Sequence, residues 1–370
     1  MVYFPVALIS LVAAGAGLVS AHPGHDMRAE VKARAEYRQR TPVEKRSLSH
    51  CSKSLGNRGV DRRSNMVKEI RRQRGLSSDM LLLKGRSFES ALNTSHHSDL
   101  TGLTQYYNPE YLFASNATCA LAEDTTEGPY YVSGEYVRSN IAEQQAGVPL
   151  WLDIQLINTN TCEPEPEVFM DIWHCNATGV YSGVSASGNG NGGDANLDTT
   201  FLRGIQRSDE NGVVQFQTIF PGHYTGRATH IHVLTHYANE TVELANGTVS
   251  GLYSTQSSHI GQLFFDQDLI SQVEALIPYT TNTQELTTNA NDDILEGEAD
   301  DIDPFMEYVM LGDSVSDGIF AWIQVAIDPT SNRELSPAAY FTADGGVEND
   351  DSSMGGTTSG AAPSSTMAPQ

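Results

Sequence analysis

Five segments of this chain alternate apolar and polar residues with a period of two: Val148–Asn158 (VPLWLDIQLIN), Val168–Cys175, Val213–Phe220, His230–His236 and Gly318–Asp328 (GIFAWIQVAID). That period belongs to a strand with one buried face, because successive side chains leave a strand on opposite sides. Between the segments stand turn formers: Gly188–Asp194 (GNGNGGD), Asp209–Gly212 (DENG) and Pro221-Gly222. Many short strands, Gly- and Asn-rich turns and few helical periods predict a mainly β fold, an antiparallel β-sandwich. The first two segments read as a hairpin with Cys162 at its turn.

Charge divides the chain. Residues 22–90 hold 17 of the 22 Lys and Arg but only 8 of the 46 Asp and Glu, whereas residues 91–370 hold 5 basic and 38 acidic side chains. The acidic part is the globular body, with apolar content near the globular norm. The basic part reads as a leader, propeptide or partly helical arm. A formal net charge of −24 argues against a nucleic-acid partner, since phosphate contacts need Lys and Arg. The expected organisation is a signal peptide over 1–21, the basic leader or arm over 22–90, the sandwich over 91–340, and a disordered Gly/Ser/Thr-rich tail over 341–370. The acidic stretch Asp292–Asp303 lacks the EF-hand spacing and reads as a solvated loop.

The opening MVYFPVALISLVAAGAGLVSA is an apolar run ending in the small-residue triplet Val19-Ser20-Ala21, which suits signal-peptide cleavage before His22. Five N-glycosylation sequons, at Asn93, Asn116, Asn176, Asn239 and Asn246, agree with export. The expected protein is secreted, glycosylated and not membrane-bound when mature. Lys45-Arg46 offers a dibasic processing site, so the mature chain is expected to begin at His22 or Ser47, and Arg62-Arg63 and Arg71-Arg72 offer further sites. Export makes disulfides available to Cys51, Cys119, Cys162 and Cys175. With Cys162 at a turn and Cys175 a strand's length away, these two should not pair. Cys162 is left with Cys119 or Cys51.

The sharpest chemical feature is Phe220–Val233, FPGHYTGRATHIHV. His230 and His232, two apart in a strand, present both imidazoles on one face, where they can grip one metal ion. Tyr224 stands just upstream on the Pro-Gly turn, and Arg227 three residues before His230. A second segment, Asp171–Gly183 (DIWHCNATGVYSG), ends a strand in a turn that presents Tyr181. Two phenols with two imidazoles suit a hard trivalent ion. Zinc takes Cys, His and carboxylate instead, so the set points to non-haem Fe(3+), one per chain.

Four segments in this order, Thr126–Tyr131 (TEGPYY), Asp171–Tyr181, Pro221–His232 and Gly261–Asp266 (GQLFFD), resemble the intradiol ring-cleavage dioxygenases, especially the secreted fungal branch related to protocatechuate and catechol dioxygenases. The resemblance spans roughly residues 115–330. It implies that Tyr181, Tyr224, His230 and His232 ligate ferric iron, with Tyr224 the tyrosinate that departs when substrate binds and Tyr181 the one that stays. It implies that Arg227 and Gln262 stand near the substrate and the reacting ring, and that Pro129 and Tyr130 line the pocket mouth. The expected reaction joins a catechol-type diol and O2 into a muconate-type product. Four further histidines near these segments, His174, His223, His236 and His259, have no spacing that demands metal.

Two other classes are weighed against this one. A secreted β-sandwich binding module would have the fold without the iron, which the retained ligand set, Arg227 and Gln262 argue against. A copper-dependent oxidase would use His22, exposed as a new N-terminus and paired with a second histidine. Oligomeric state is left open, a dimer included, as is the identity of the catechol.

Overall fold

The computed structural model describes residues 31–32, 35–36, 39–42, 48–51, 60–74, 91–98, 118–120 and 128–349, apart from gaps at 187, 191–192, 238–240, 250–255, 258, 300–301 and 332. The signal peptide, His22, Lys45-Arg46, Asn116, Asn239, the side chain of Cys119 and the end of the tail lie outside the described residues.

The chain is mainly β. One sheet is built from β1 (Thr118–Ala120), β3 (Pro149–Asn158), β6 (Val213–Ile219), β10 (Glu307–Met310) and β11 (Ile319–Ile327), in the order β1-β11-β3-β6 with β10 also on β11. The second runs β5 (Arg203–Arg207), β4 (Val168–Trp173), β7 (His230–Tyr237), β9 (His259–Phe264). Two small sheets flank them: β14 (Gly345–Glu348), β13 (Ala339–Thr342) and β2 (Val132–Ser133), and the pair β12 (Arg333–Glu334) and β8 (Gln256–Ser257). The main helices are α1 (Val60–Arg74), α2 (Gln267–Glu274) and α3 (Asp293–Ala299).

The five segments with period two are all strands, with ends within two residues of those expected. Their alternate residues form the sandwich core. Leu150, Leu152, Ile154 and Leu156 of β3 and the odd-numbered residues of β11 meet Met170 and Ile172 of β4, Ile231 and Val233 of β7 and Leu263 of β9. β11 is buried along its whole length because its other face is covered too. There Phe320 and Trp322, with Val309 and Leu311, pack under Val67 and Ile70 of α1.

Three expectations need correction. The first sheet is mixed, not purely antiparallel: β11 runs parallel to both β3 and β1. β3 and β4 are not a hairpin. They lie in opposite sheets, and Cys162, at positive φ, sits in the link that crosses between them. Finally, order continues into the stretch assigned to the tail, because β13 and β14 form a hairpin whose inner strand pairs with β2.

The avoided pairing holds. Cys51 is bonded to Cys162, and Cys175 is a buried free thiol. Leu48 and Cys51 pack against Ile157 and Ala326, Arg71 donates to the Met310 carbonyl, and Arg74 to that of Asp317. Residues 48–51 and α1 are therefore part of the body's packing.

Candidate active site

Register assembles the site. In an antiparallel sheet directly opposed residues share a face. Arg203 of β5 opposes Trp173 of β4, Trp173 opposes His232 of β7, and His232 opposes Gln262 of β9. One row across the second sheet thus collects residues from four strands. Because Ile172, Ile231, Val233 and Leu263 point into the sandwich, this row and His230 stand on the outer face. That face is closed by a second buried cluster including Tyr130, Tyr131, Val132, Tyr181, Val184 and Tyr224.

Two loops bring in the phenols. The loop after β4 carries Tyr181, and its turn is tied by the Asn176 side chain, whose Oδ1 accepts from the backbone N–H groups of Thr178 and Val180. The loop between β6 and β7 carries Tyr224. The two loops touch where a side chain would not fit: a Cβ on Gly222 would stand 2.5 Å from the Asn176 carbonyl oxygen. As a result the Tyr181 and Tyr224 rings meet edge to face with centroids 5.6 Å apart, and Tyr130 packs 4.7 Å from Tyr181 and 6.3 Å from Tyr224. Pro129, beside Tyr130, is also buried.

All four expected ligands converge. The Nε2 atoms of His230 and His232 are 3.0 Å apart, and the Tyr224 hydroxyl is 3.3 Å from His230 Nε2. His230 Nδ1 is 2.6 Å from the Ala228 carbonyl. A carbonyl only accepts, so Nδ1 carries the proton and Nε2 offers its lone pair to the site. His232 lies flat against Trp173, and its Cε1 would be 3.1 Å from a Cβ on Gly128. The Tyr181 hydroxyl is buried, with the Tyr224 phenol as its hydrogen-bonding neighbour.

This donor set fits a metal ion. Two nitrogens each about 2.1 Å from one ion, and at right angles there, stand about 3 Å apart, which matches the histidine pair. Burial pushes both phenols far above their ordinary pKa, with the neighbouring Tyr224 adding to the effect on Tyr181. Their anionic form in this place needs a strongly charged cation beside it.

Arg227 and Gln262 also meet: a terminal N–H of Arg227 donates to Gln262 Oε1, and Arg227 is fully buried. Its Nε donates to Asp292 at 3.0 Å. Asp292 is buried, against the expectation of a solvated loop. Burial pushes its carboxyl up, but Arg227 and the backbone donors outweigh that and hold it below the usual range. Sequence reading missed this residue because nothing in an acidic run shows which member turns inward.

It also missed Arg203, whose only sequence signal is that the body has five arginines and no lysine. Arg203 donates to the carbonyls of Tyr130 and Ser182, at 2.6 Å each, holding the backbone at Tyr130 to the Tyr181 loop. Its buried charge faces Glu135, whose carboxyl burial pushes up to about 8.

The four other histidines have different partners. His174 lies between Thr218 and the Cys175 carbonyl, His223 between Glu274 and the Gln284 carbonyl, His236 near Asp171, and His259 accepts from the Asp328 N–H.

Comparison with known proteins gives the family to which this fold belongs. A dioxygenase family model matches residues 126–270. An intradiol ring-cleavage dioxygenase from Tetranychus urticae is 30% identical, with the match covering 55% of this chain and 92% of that one at a TM-score of 0.44. The dioxygenase domain of a dioxygenase–carbohydrate-binding fusion from Streptomyces sp. SirexAA-E is 21% identical over 55% and 96% of the two chains (TM-score 0.33). For the catechol 1,2-dioxygenase of Pseudomonas arvilla the figures are 16%, 55%, 60% and 0.35. No curated protein matches the chain. The family-model match, with 30% identity across 92% of the Tetranychus urticae enzyme, places the chain in the intradiol ring-cleavage dioxygenase family.

Proposed function

We propose that this protein is a secreted non-haem iron(III) enzyme. It opens a catechol-type aromatic diol between its two hydroxyl-bearing carbons, incorporates both atoms of O2 and releases a muconate-type diacid. The observation that carries this reading is the convergence of the Tyr224 hydroxyl with the facing Nε2 atoms of His230 and His232, beside the buried phenol of Tyr181.

Tyr181, Tyr224, His230 and His232 would hold the ion. A ferric ion bound there would supply Lewis acidity and a template for the diol and O2. By the family resemblance, Tyr224 is the phenolate that moves away and takes a proton from the incoming diol at its Oη. Tyr181 is fixed by the tied turn at Asn176 and stays. Arg227 keeps a positive charge close to where negative charge grows on the opening ring, and Gln262 orients that guanidinium. Pro129 and Tyr130 wall the site and exclude water. A catechol-type substrate follows from the family, and the names of its catechol-cleaving members support it.

The apolar N-terminal run, residues 1–21, and the sequons support secretion. Asn93 and Asn246 are exposed and suited to carry glycans, whereas Asn176 is half-buried and its Nδ2 donates to Gln145. The test is metal analysis, visible absorption and catechol-dependent O2 uptake on the purified secreted protein, with product analysis across a panel of catechols. Iron near one per chain, a reddish tyrosinate-to-iron band and ring-opened product are expected. Copper, or no metal and no O2 uptake, would reject the reading.

A further inference from the structure

Asp292 stands outside the part of the chain that the dioxygenase family model matches, yet its carboxylate is wired to the site on two sides. Oδ1 accepts from the N–H groups of Ile294 and Leu295, at 2.9 and 3.0 Å, and so caps α3. Oδ2 accepts from Arg227 Nε at 3.0 Å and from the Ala228 N–H at 2.8 Å. Each of the latter bonds continues inward. Arg227 goes on to Gln262, and the Ala228 carbonyl accepts the proton of His230 Nδ1. A single oxygen thus fixes the heading of the buried guanidinium and the backbone that sets the tautomer and aim of a histidine in the site.

We infer that Asp292 is a positioning residue of the reaction: it orients Arg227 with Gln262 on one side and His230 on the other. The inference rests on the proposed function. Chemistry selects a carboxylate here. A buried guanidinium needs an opposite charge, and breaking such a pair leaves the other charge uncompensated. Asparagine has the same shape and retains one oxygen for the α3 cap, but it removes the charge facing Arg227. A residue serving only the cap would tolerate that change.

The experiment compares wild type, Asp292→Asn, Arg227→Met and the double variant for iron content, visible spectrum, thermal midpoint, and kcat and KM for catechol. Asp292→Asn should keep most of its iron and lose about 10²-fold in kcat with KM moved only a few-fold, the size of effect seen when one preorganised donor is lost. The double variant should be slower than Arg227→Met only by the part that runs through His230, well short of the product of the two single losses, because residues acting as one unit are non-additive. The visible band should shift in Asp292→Asn through His230, and remain near the wild-type position in Arg227→Met.

Unchanged kcat in Asp292→Asn, or losses that multiply in the double variant, would overturn the inference while leaving the proposed function intact. A wild-type chain without iron or O2 uptake would overturn both. Should Asp292→Asn not fold, the double variant removes both charges together and still supports the comparison with Arg227→Met. If neither folds, Asp292 belongs to the scaffold and the inference fails.

Discussion

The indole of Trp173 lies parallel to the imidazole of His232, their centroids 4.9 Å apart and their planes within 3°. The pair follows from the β4–β7 register, which sets the two residues opposite each other on one sheet face. Trp173 blocks one side of the imidazole, and the backbone at Gly128 approaches it elsewhere, leaving the ring little room to turn. Gly128 has φ +75, a left-handed conformation that a side chain makes unfavourable by about 1 kcal/mol or more.

Gly128→Ala should therefore act on the metal more than on the fold. The added Cβ would meet His232 Cε1 at 3.1 Å and push Nε2 off its line. The expected outcome is a thermal midpoint lowered by a few degrees, with a clear loss of bound iron and a shifted visible band. A variant with wild-type iron and spectrum would show that this approach does not hold the ring.

The two tyrosines should separate by experiment. Tyr181→Phe removes the phenolate assigned to stay, so it should weaken iron retention and change the colour. Tyr224→Phe should retain more iron but slow the step in which the diol loses its proton, lowering kcat by about 10²-fold or more. His230→Ala and His232→Ala should each lose most of the iron. If both phenylalanine variants matched wild type in iron, colour and O2 uptake, the ligand assignment would be wrong.

Much of this site was legible because strands give position through period and pattern. His230 and His232 had to share a face, and the alternation in β4 and β7 set which face was left for the site. What could not be read was pairing between distant segments. The row from Arg203 to Gln262 depends on which strands adjoin, and nothing local says that β5 borders β4. The same limit misplaced β3 and β4 as a hairpin, since sequence neighbours in a sandwich often occupy opposite sheets. Asp292 was hidden for a related reason: its partner, Arg227, lies 65 residues away.

The stability of the body should fall on the alkaline side through His96. This residue is buried against Phe305, with Nδ1 2.5 Å from Asp266 and Nε2 3.2 Å from Asp303. Burial opposes its charge, but the two carboxylates more than compensate and push it up to about 10. A histidine whose folded pKa is raised contributes stability in full below its unfolded value of about 6.5, and that contribution disappears as pH climbs towards about 10. The unfolding free energy of wild type minus that of His96→Gln should thus be largest near neutral or mildly acidic pH and shrink through this window. A gap that stays constant with pH would mean His96 serves by shape alone.

The basic arm should prove inseparable from the acidic body, although its composition suggests a leader. Val67 and Ile70 cover the face of Phe320 and Trp322, and the Cys51–Cys162 bond fastens the arm at a second place. Ile70→Ala should cost about 2–4 kcal/mol, the range for truncating a buried isoleucine, read as a lower denaturation midpoint of the whole body. Processing after Arg46 would leave both contacts in place and should be silent in the same measurement. Cleavage between Arg71 and Arg72 should be slow in the folded protein, because Arg71 is buried and bonded to the Met310 carbonyl. If a protease did cut there, the disulfide would keep the N-terminal fragment attached until reduction. Non-reducing and reducing gels of the digested protein, run beside the Ile70→Ala melt, decide the matter. A fragment released without reductant, or a variant as stable as wild type, would return the arm to the status of a leader.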